Sequence, residues 1–215
     1  MSSYGGRPRF IFPSSIAAFG GPLPDKVDDF VPQTPQTSYG TAKSIAELLI
    51  NDYTRQGFID GRALRLPVVL IRPGSPTSSV SDKVAAIVRE PLMGRDVVCG
   101  LAAETIVPVA SVRSVARALV KLHDVPADRF GHTRAMNLPA LSITVMEMIA
   151  ALEALDFPGV LGKITWEKDD QLQAIVDGWP RYFVSEEASR LAIQADGSFT
   201  EILRNFLDDL RDAPR

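Results

Sequence analysis

Tyr39-Gly40-Thr41-Ala42-Lys43 sets a phenol and an ammonium one helical turn apart, and Ser15 closes the upstream run Phe10-Ile11-Phe12-Pro13-Ser14-Ser15. In a helix the two side chains share a face, so the Lys43 charge favours the Tyr39 phenolate and makes Tyr39 a general base for an alcohol proton. A serine at the end of a buried strand can donate a hydrogen bond to an oxygen whose charge changes during reaction. The three residues together describe proton transfer at an alcohol carbon. Tyr and Lys at this spacing also occur on ordinary solvated helix faces, so the surrounding elements have to decide.

The run Arg9–Phe12 ahead of Pro13 reads as a short apolar strand, and Leu66–Ile71 as a second one richer in β-branched residues. Continuous apolar runs of this kind suit strands covered on both faces, as in a parallel sheet. Between them, Ser38 to about Gly57 reads as one long helix, with Ile45, Leu48, Leu49 and Tyr53 on a stripe and Gly57 where a stop belongs. This β-loop-α-β order puts Ser15 at the carboxyl end of a strand and Tyr39 at the start of the next helix, where open α/β sheets gather their ligands. The loop from Phe19 to Thr37 carries Gly20, Gly21, Pro22, Pro24, Pro32 and Pro35. It reads either as an ordered turn-rich segment across the site mouth, without strand or helix, or as a plain surface connection. Downstream, the patterns give helices near 80–90, 112–123, 144–155, 171–177, 185–192 and 199–211. Short strands are expected near 97–100, 105–109, 136–138 and 163–167. Alternation of this kind belongs to the α/β class.

Composition narrows the function classes. With 215 residues, 46% of them hydrophobic, the chain is long enough to bury a sizeable core. A net charge of -3 gives no support for a nucleic-acid partner. The lone Cys99 cannot form an intramolecular disulfide, and with His123 and His132 it makes no metal set at ligand spacing. A reducing cytoplasm is the expected location. The sequence contains no apolar stretch of membrane-spanning length and no signal-peptide core, so no membrane partner is expected.

Three ordered stretches, Pro13-Ser-Ser-Ile-Ala-Ala-Phe19-Gly20, Thr34-Pro-Gln-Thr-Ser-Tyr39-Gly-Thr-Ala-Lys43 and Leu70-Ile-Arg72-Pro73-Gly74, resemble the second half of the extended short-chain dehydrogenase/reductase family, the NAD-dependent epimerases and dehydratases. Within it the likeness is nearest to the D-erythronate dehydrogenase group, through Arg72-Pro-Gly-Ser-Pro76, Arg89-Glu-Pro-Leu92 with Gly94, and Val107-Pro-Val-Ala-Ser-Val-Arg113. The resemblance implies a Rossmann-like parallel sheet with a small α/β substrate-binding lobe. It places the C-terminal half of the Rossmann-like domain at 1–75 and mainly the lobe, with returns to the sheet, at 76–215.

The same resemblance implies roles. Tyr39 is the base, Lys43 holds the nicotinamide ribose of NAD or NADP, Ser15 binds the substrate oxygen, and Pro73 touches the nicotinamide through its backbone. Thr77 stands where nucleotide-sugar epimerases generally carry a substrate-binding asparagine, which counts against a nucleotide sugar. Arg113 stands where those enzymes more often show an acidic pair. It reads two ways, as a bidentate clamp for a substrate carboxylate or as a helix-surface arginine in an ordinary salt bridge. Phe19 replaces a tyrosine, removing one hydroxyl from the pocket.

A nicotinamide enzyme also needs a glycine-rich turn at a helix N-terminus for the cofactor pyrophosphate, and no G-x-G-x-x-G spacing occurs. The expectation is therefore an N-terminally truncated, inactive chain from an oxidoreductase of a small sugar acid, with an exposed sheet edge that drives homo-oligomer formation. The family's usual dimer uses the helix bearing the tyrosine and lysine. The competing expectations are a nucleotide-sugar 4-epimerase or dehydratase, and a non-catalytic fragment or binding module.

Overall fold

The structure, a computed structural model, describes residues 6–71, 76–131 and 133–212. In chain order the elements are β1 (Arg9–Ser15), a 3-10 turn (Ile16–Ala18), β2 (Lys26–Val27), α1 (Ser38–Arg55), β3 (Asp60–Leu66), β4 (Val68–Leu70), α2 (Val80–Leu92), β5 (Val97–Cys99), β6 (Ile106–Ser111) and α3 (Val112–Asp124). A second 3-10 turn (Ala127–Arg129) leads to β7 (Ala135–Asn137), β8 (Leu141–Thr144), α4 (Val145–Glu153), β9 (Ile164–Trp166), α5 (Asp170–Asp177), β10 (Tyr182–Phe183), α6 (Glu186–Arg190) and α7 (Phe199–Asp212).

The sheet that carries Ser15 has the order β1-β3-β7, parallel throughout. Its central strand is absent from the sequence-based reading, because Asp60-Gly-Arg-Ala-Leu-Arg-Leu66 has too many charges to resemble a strand covered on both faces. Each charge is neutralised inside. Arg62, with 0% exposure, donates to Asp60 and to the carbonyls of Leu122 and His123 at the end of α3, with its guanidinium over the Phe130 ring. Those carbonyls are the unpaired acceptors and negative pole of a helix end, so the buried cation satisfies them while tying α3 to the sheet. The apolar run expected as one strand at 66–71 is split: β3 ends at Leu66, and β4 joins a different sheet, β4-β6-β8, whose β6/β8 pair is antiparallel.

Two apolar cores follow from this division. One packs Leu64 and Met136 of the main sheet, with Leu138 just past β7, against Val115, Ala118 and Leu122 of α3. The larger lies between α2, α4, α7 and the β4-β6-β8 sheet, through Val84, Val88, Val107, Val109, Met148, Leu152, Ile202 and Phe206. Helix starts are fixed locally. Ser79, Ser111, Thr144, Asp169 and Ser185 each accept an amide hydrogen bond from the first turn that follows, and Thr144 with Glu147 forms a reciprocal capping box. The segment from 19 to 37, expected to be free of strand, contains β2, which pairs in parallel with β10. Two residues flanked by prolines and glycines are too few to show a period of two. Among the described residues, no helix is long and apolar enough to cross a membrane.

Candidate active site

The carboxyl end of β1, the 3-10 turn and the first turn of α1 meet at one place, because Thr37 and Gly40 let them. Thr37 caps α1 by accepting the Gly40 amide at 3.0 Å. Gly40 faces the 3-10 turn so closely that a Cβ there would overlap the Ala17 carbonyl oxygen and lie 2.7 Å from its carbon. Ser15 accepts the Ala17 amide at 3.2 Å through Oγ, which leaves its hydroxyl proton for another acceptor. Lys43 Nζ donates to the Pro13 carbonyl at 2.7 Å and sits 4.6 Å from the Phe12 ring centre and 5.4 Å from that of Tyr39. Tyr39 is 58% exposed. Ser15, Tyr39 and Lys43 are thus gathered within one strand end and one helical turn.

Helix α1 is turned opposite to the usual amphipathic arrangement. Its buried positions are Gly40, Ser44, Glu47, Ile50 and Thr54, while Ile45, Leu48, Leu49 and Tyr53, the apolar stripe legible in the sequence, are all exposed, Leu48 to 68%. On the buried side Glu47 accepts from the Ser14 hydroxyl, from Gln33 Nε2 at 2.6 Å and from Arg65 Nη2 at 2.9 Å. Arg65 continues to the Asp29 carbonyl and to Asn137 Oδ1, and its guanidinium stands 5.3 Å from the centre of the Phe19 ring. Asn137 in turn donates to the carbonyls of Val27 and Val184, stapling β2 and the segment after β10 to the end of β7. Burial pushes the Asp29 carboxyl up from its ordinary value, opposed by hydrogen bonds from the Asn137 amide, Ser185 and the Glu187 amide. None of Glu47, Arg65, Asp29 or Asn137 stood out in the sequence. The available signal was a glutamate on the face of α1 opposite its apolar stripe.

The remaining expected site residues lie on other elements. Thr77 sits in the approach to α2, with its amide donating to Asp82 Oδ2 at 2.6 Å and its hydroxyl 3.1 Å from Ser79 Oγ. Pro73 and Arg72 lie outside the described residues, as does His132. Arg113, on the first turn of α3, donates through Nε and Nη2 to Asp209 and through Nη1 to Asn205, both on α7. Both of the nitrogens that meet Asp209 share its Oδ1, so in the structure the guanidinium is engaged by the protein's own aspartate. Phe19 is 1% exposed and packs edge-on against Phe183, so it forms floor beneath the site. His123 ends α3 beside Asp124, and burial pushes the Cys99 thiol up, away from reactivity.

Asp82 anchors the Thr77 segment through a buried pair with Arg89, whose Nη1 lies 2.6 Å from Asp82 Oδ1; both side chains are 1% exposed. The Arg89 hydrogen bond holds the Asp82 carboxyl pKa at about 2, below the ordinary aspartate value. A carboxyl depressed on folding stabilises the native state above its unfolded value, and the gain disappears as the pH falls through the folded one. Urea unfolding should therefore show about 2 kcal/mol of stability from this group at neutral pH, lost between about pH 4 and pH 2. In Asp82→Asn that acid-dependent part should be missing. An unchanged acid limb in the variant would refute the assignment.

Comparison with known proteins bears on what this geometry serves. Residues 1–138 match the model of the NAD dependent epimerase/dehydratase family. The chain belongs to that family. Among family relatives, it is 42% identical to a D-erythronate dehydrogenase of Cupriavidus necator, over 95% of this chain and 63% of that protein. It is 38% identical to a D-erythronate dehydrogenase of Haemophilus influenzae, over 93% of this chain and 64% of the relative. A crystal structure described as a nucleoside-diphosphate-sugar epimerase from Agrobacterium tumefaciens superimposes with a TM-score of 0.87 at 38% identity, covering 96% of this chain and 61% of that one. An L-threonine dehydrogenase of Cupriavidus necator does so with a TM-score of 0.83 at 26% identity. The fold is accordingly α/β and Rossmann-like, and the chain spans a little under two thirds of the length of these relatives.

The family's NAD can be tested against the side chains present. Lys43 uses one ammonium donor on Pro13 and has two more, which suits the paired hydroxyls of a ribose, and the exposed Tyr39 hydroxyl lies on the same turn. This donor set fits the nicotinamide end of the cofactor. Among the described residues, no glycine-rich turn leads from a strand into a helix N-terminus, the arrangement that receives a pyrophosphate.

Proposed function

We propose that this chain carries the reacting end of an NAD(P)-dependent oxidoreductase that oxidises a secondary alcohol of a small sugar acid resembling D-erythronate, working in the cytoplasm. The observation that carries the proposal is the convergence of Ser15, Tyr39 and Lys43 at the carboxyl end of β1. Bound nicotinamide would accept a hydride from the carbinol carbon. The chain's own residues do the rest: Tyr39 takes the hydroxyl proton as the carbonyl forms, Ser15 donates to the same oxygen, and Lys43 holds the ribose. Pro73 flanks the nicotinamide and Thr77 the substrate; Arg113, the third residue expected at the substrate, reaches it only by giving up its bonds to Asp209 and Asn205. Residues 1–75 supply the cofactor side and 76–215 mainly the substrate lobe. Two copies pair through the exposed stripe of α1, where Ile45, Leu48, Leu49 and Tyr53 leave a large apolar surface open to water.

A second reading, a nucleotide-sugar 4-epimerase, is favoured by the overlap with the Agrobacterium protein. The two differ in net cofactor turnover, because a dehydrogenase releases NADH and an epimerase returns the hydride. The test is NAD titration calorimetry on the purified chain with its mass in solution, followed by absorbance of NADH with four-carbon sugar acids. The same assay is run on a version extended to the length of the relatives. A dimer of the extended version that releases NADH from D-erythronate is the expected result, with the shorter chain inactive. Interconversion of a sugar nucleotide without NADH would move the assignment to the epimerase, and neither activity in either version would refute both.

A further inference from the structure

Glu47 lies one turn beyond Lys43 on α1, and the two side chains grip consecutive residues of β1: Lys43 Nζ holds the Pro13 carbonyl at 2.7 Å, and Glu47 accepts the Ser14 hydroxyl. The next residue is Ser15. A turn before Lys43, Gly40 lies against Ala17, so α1 is docked along residues 13–17 at three successive steps of the helix. The middle and last of these steps are polar. Glu47 is 5% exposed and Ser14 3%, so their hydrogen bond is made where water competes little and its loss is felt in full.

Glu47 is itself held from two further directions. Arg65 of β3 meets both its oxygens, at 3.0 Å from Nε to Oε2, 3.2 Å from Nε to Oε1 and 2.9 Å from Nη2 to Oε2. Gln33 joins the loop over the site to the same carboxylate. A carboxylate fixed by a planar guanidinium has little rotational freedom, so it makes a stiff reference point for the hydroxyl beside it. Among the described residues, no hydrogen bond joins Glu47 to Tyr39 or to the side chain of Ser15, which sets it apart from the reacting groups themselves.

We propose that Glu47 is a positioning residue. With Ser14 and Arg65 it forms a clamp that sets the end of β1 against α1, and so fixes the distance between the Ser15 hydroxyl and the Tyr39–Lys43 pair. This deepens the oxidoreductase reading and rests on it for its effect on turnover. The clamp itself is a statement about Lys43 and is readable without turnover.

The decisive experiment uses Ser14→Ala, which removes the hydroxyl and leaves the buried Glu47–Arg65 pair intact, beside Glu47→Gln. Lysine acetylation by an N-hydroxysuccinimide ester, followed by mass spectrometry, reports Lys43 against the exposed Lys26 and Lys168 in the same molecule. Lys43 should label more slowly than the two references in the unaltered protein. In Ser14→Ala it should speed up by about tenfold, the loss of roughly one charge-assisted hydrogen bond, while the references and the far-ultraviolet circular dichroism stay the same. In a preparation that releases NADH, kcat should fall by about ten- to a hundredfold with KM for NAD held, as expected for misplaced rather than missing reacting groups. Unchanged Lys43 labelling in a folded Ser14→Ala protein overturns the clamp, as does faster labelling with undiminished kcat. Absence of turnover in the unaltered protein counts against the function proposed above and leaves the labelling to decide the clamp.

Discussion

Gly40→Ala should both destabilise the protein and suppress its turnover, although alanine is the better helix former. Propensity alone predicts a gain of about 0.8–1 kcal/mol from this replacement in a helix. The contact surface predicts the reverse. An alanine methyl at position 40 would overlap the Ala17 carbonyl oxygen and come within 3.1 Å of Pro35 Cβ, and the first of these neighbours is backbone, which has no rotamer to escape into. Relief requires α1 to move away from the 3-10 turn that Ser15 caps. Overpacking of this kind costs on the order of 1–3 kcal/mol, so the net change in urea unfolding should be a loss. The displacement carries Tyr39 and Lys43 with it, and a shift of about 1 Å between reacting groups reduces rates by roughly a hundredfold. Thr41→Ala, one residue on and exposed, serves as the control and should show neither effect. A Gly40→Ala protein as stable and as active as the parent would mean that α1 is not held against the turn.

The position of Gly40 inside the motif is thus a packing requirement, and it shows which parts of the site were legible in advance. The gathering of Ser15, Tyr39 and Lys43 at one place was legible because their spacing is short: a strand end, a loop, then one helical turn. The end of α1 was legible for a similar reason, since Gly57 is a local signal; it adopts a φ of +83° just past the helix end. The facing of α1 was not legible. An apolar stripe normally marks the buried side, yet here the buried side carries Gly40, Ser44 and Glu47, and the stripe faces out. The reason is the neighbour. Helix α1 lies over the backbone of residues 13–17, which offers carbonyls and a serine hydroxyl, so close approach and hydrogen bonds take the place of apolar packing there.

Strand β3 was hidden by the same physics in a different form. Arg62 and Arg65 lie in a seven-residue strand and make it look like a connection, but each guanidinium is matched by acceptors from distant parts of the chain: Leu122 and His123 for one, Glu47, Asp29 and Asn137 for the other. A charge can enter a sheet interior only with such partners, and partners 18 to 72 residues away cannot be read from a local pattern. The Asp29–Asn137–Ser185 connections are of this kind too, which is why the link between the loop over the site and the C-terminal segment emerges only in three dimensions.

Tyr39→Phe is the sharpest test of the chemistry, because it removes one oxygen and little else. The Tyr39 ring is more than half exposed at the start of α1, and phenylalanine keeps the face that Lys43 overlooks, so stability should change by less than about 0.5 kcal/mol. NADH release from a sugar acid should fall by about 10²–10⁴, the usual contribution of a positioned acid or base. The loss should lie in kcat, with affinity for NAD reduced only as far as the phenol touches the ribose. Tyr53 lies on the same helix, is also exposed and packs edge-on against Phe58 at 5.8 Å, so Tyr53→Phe controls for the loss of a surface hydroxyl and should leave turnover intact. A Tyr39→Phe protein that keeps the parental kcat would move the base to another group. One that keeps kcat but no longer saturates with NAD would reassign Tyr39 from proton acceptor to cofactor contact. Only a collapse of kcat in a folded, NAD-saturable variant is consistent with Tyr39 taking the proton while Ser15 holds the substrate oxygen and Lys43 the nicotinamide ribose.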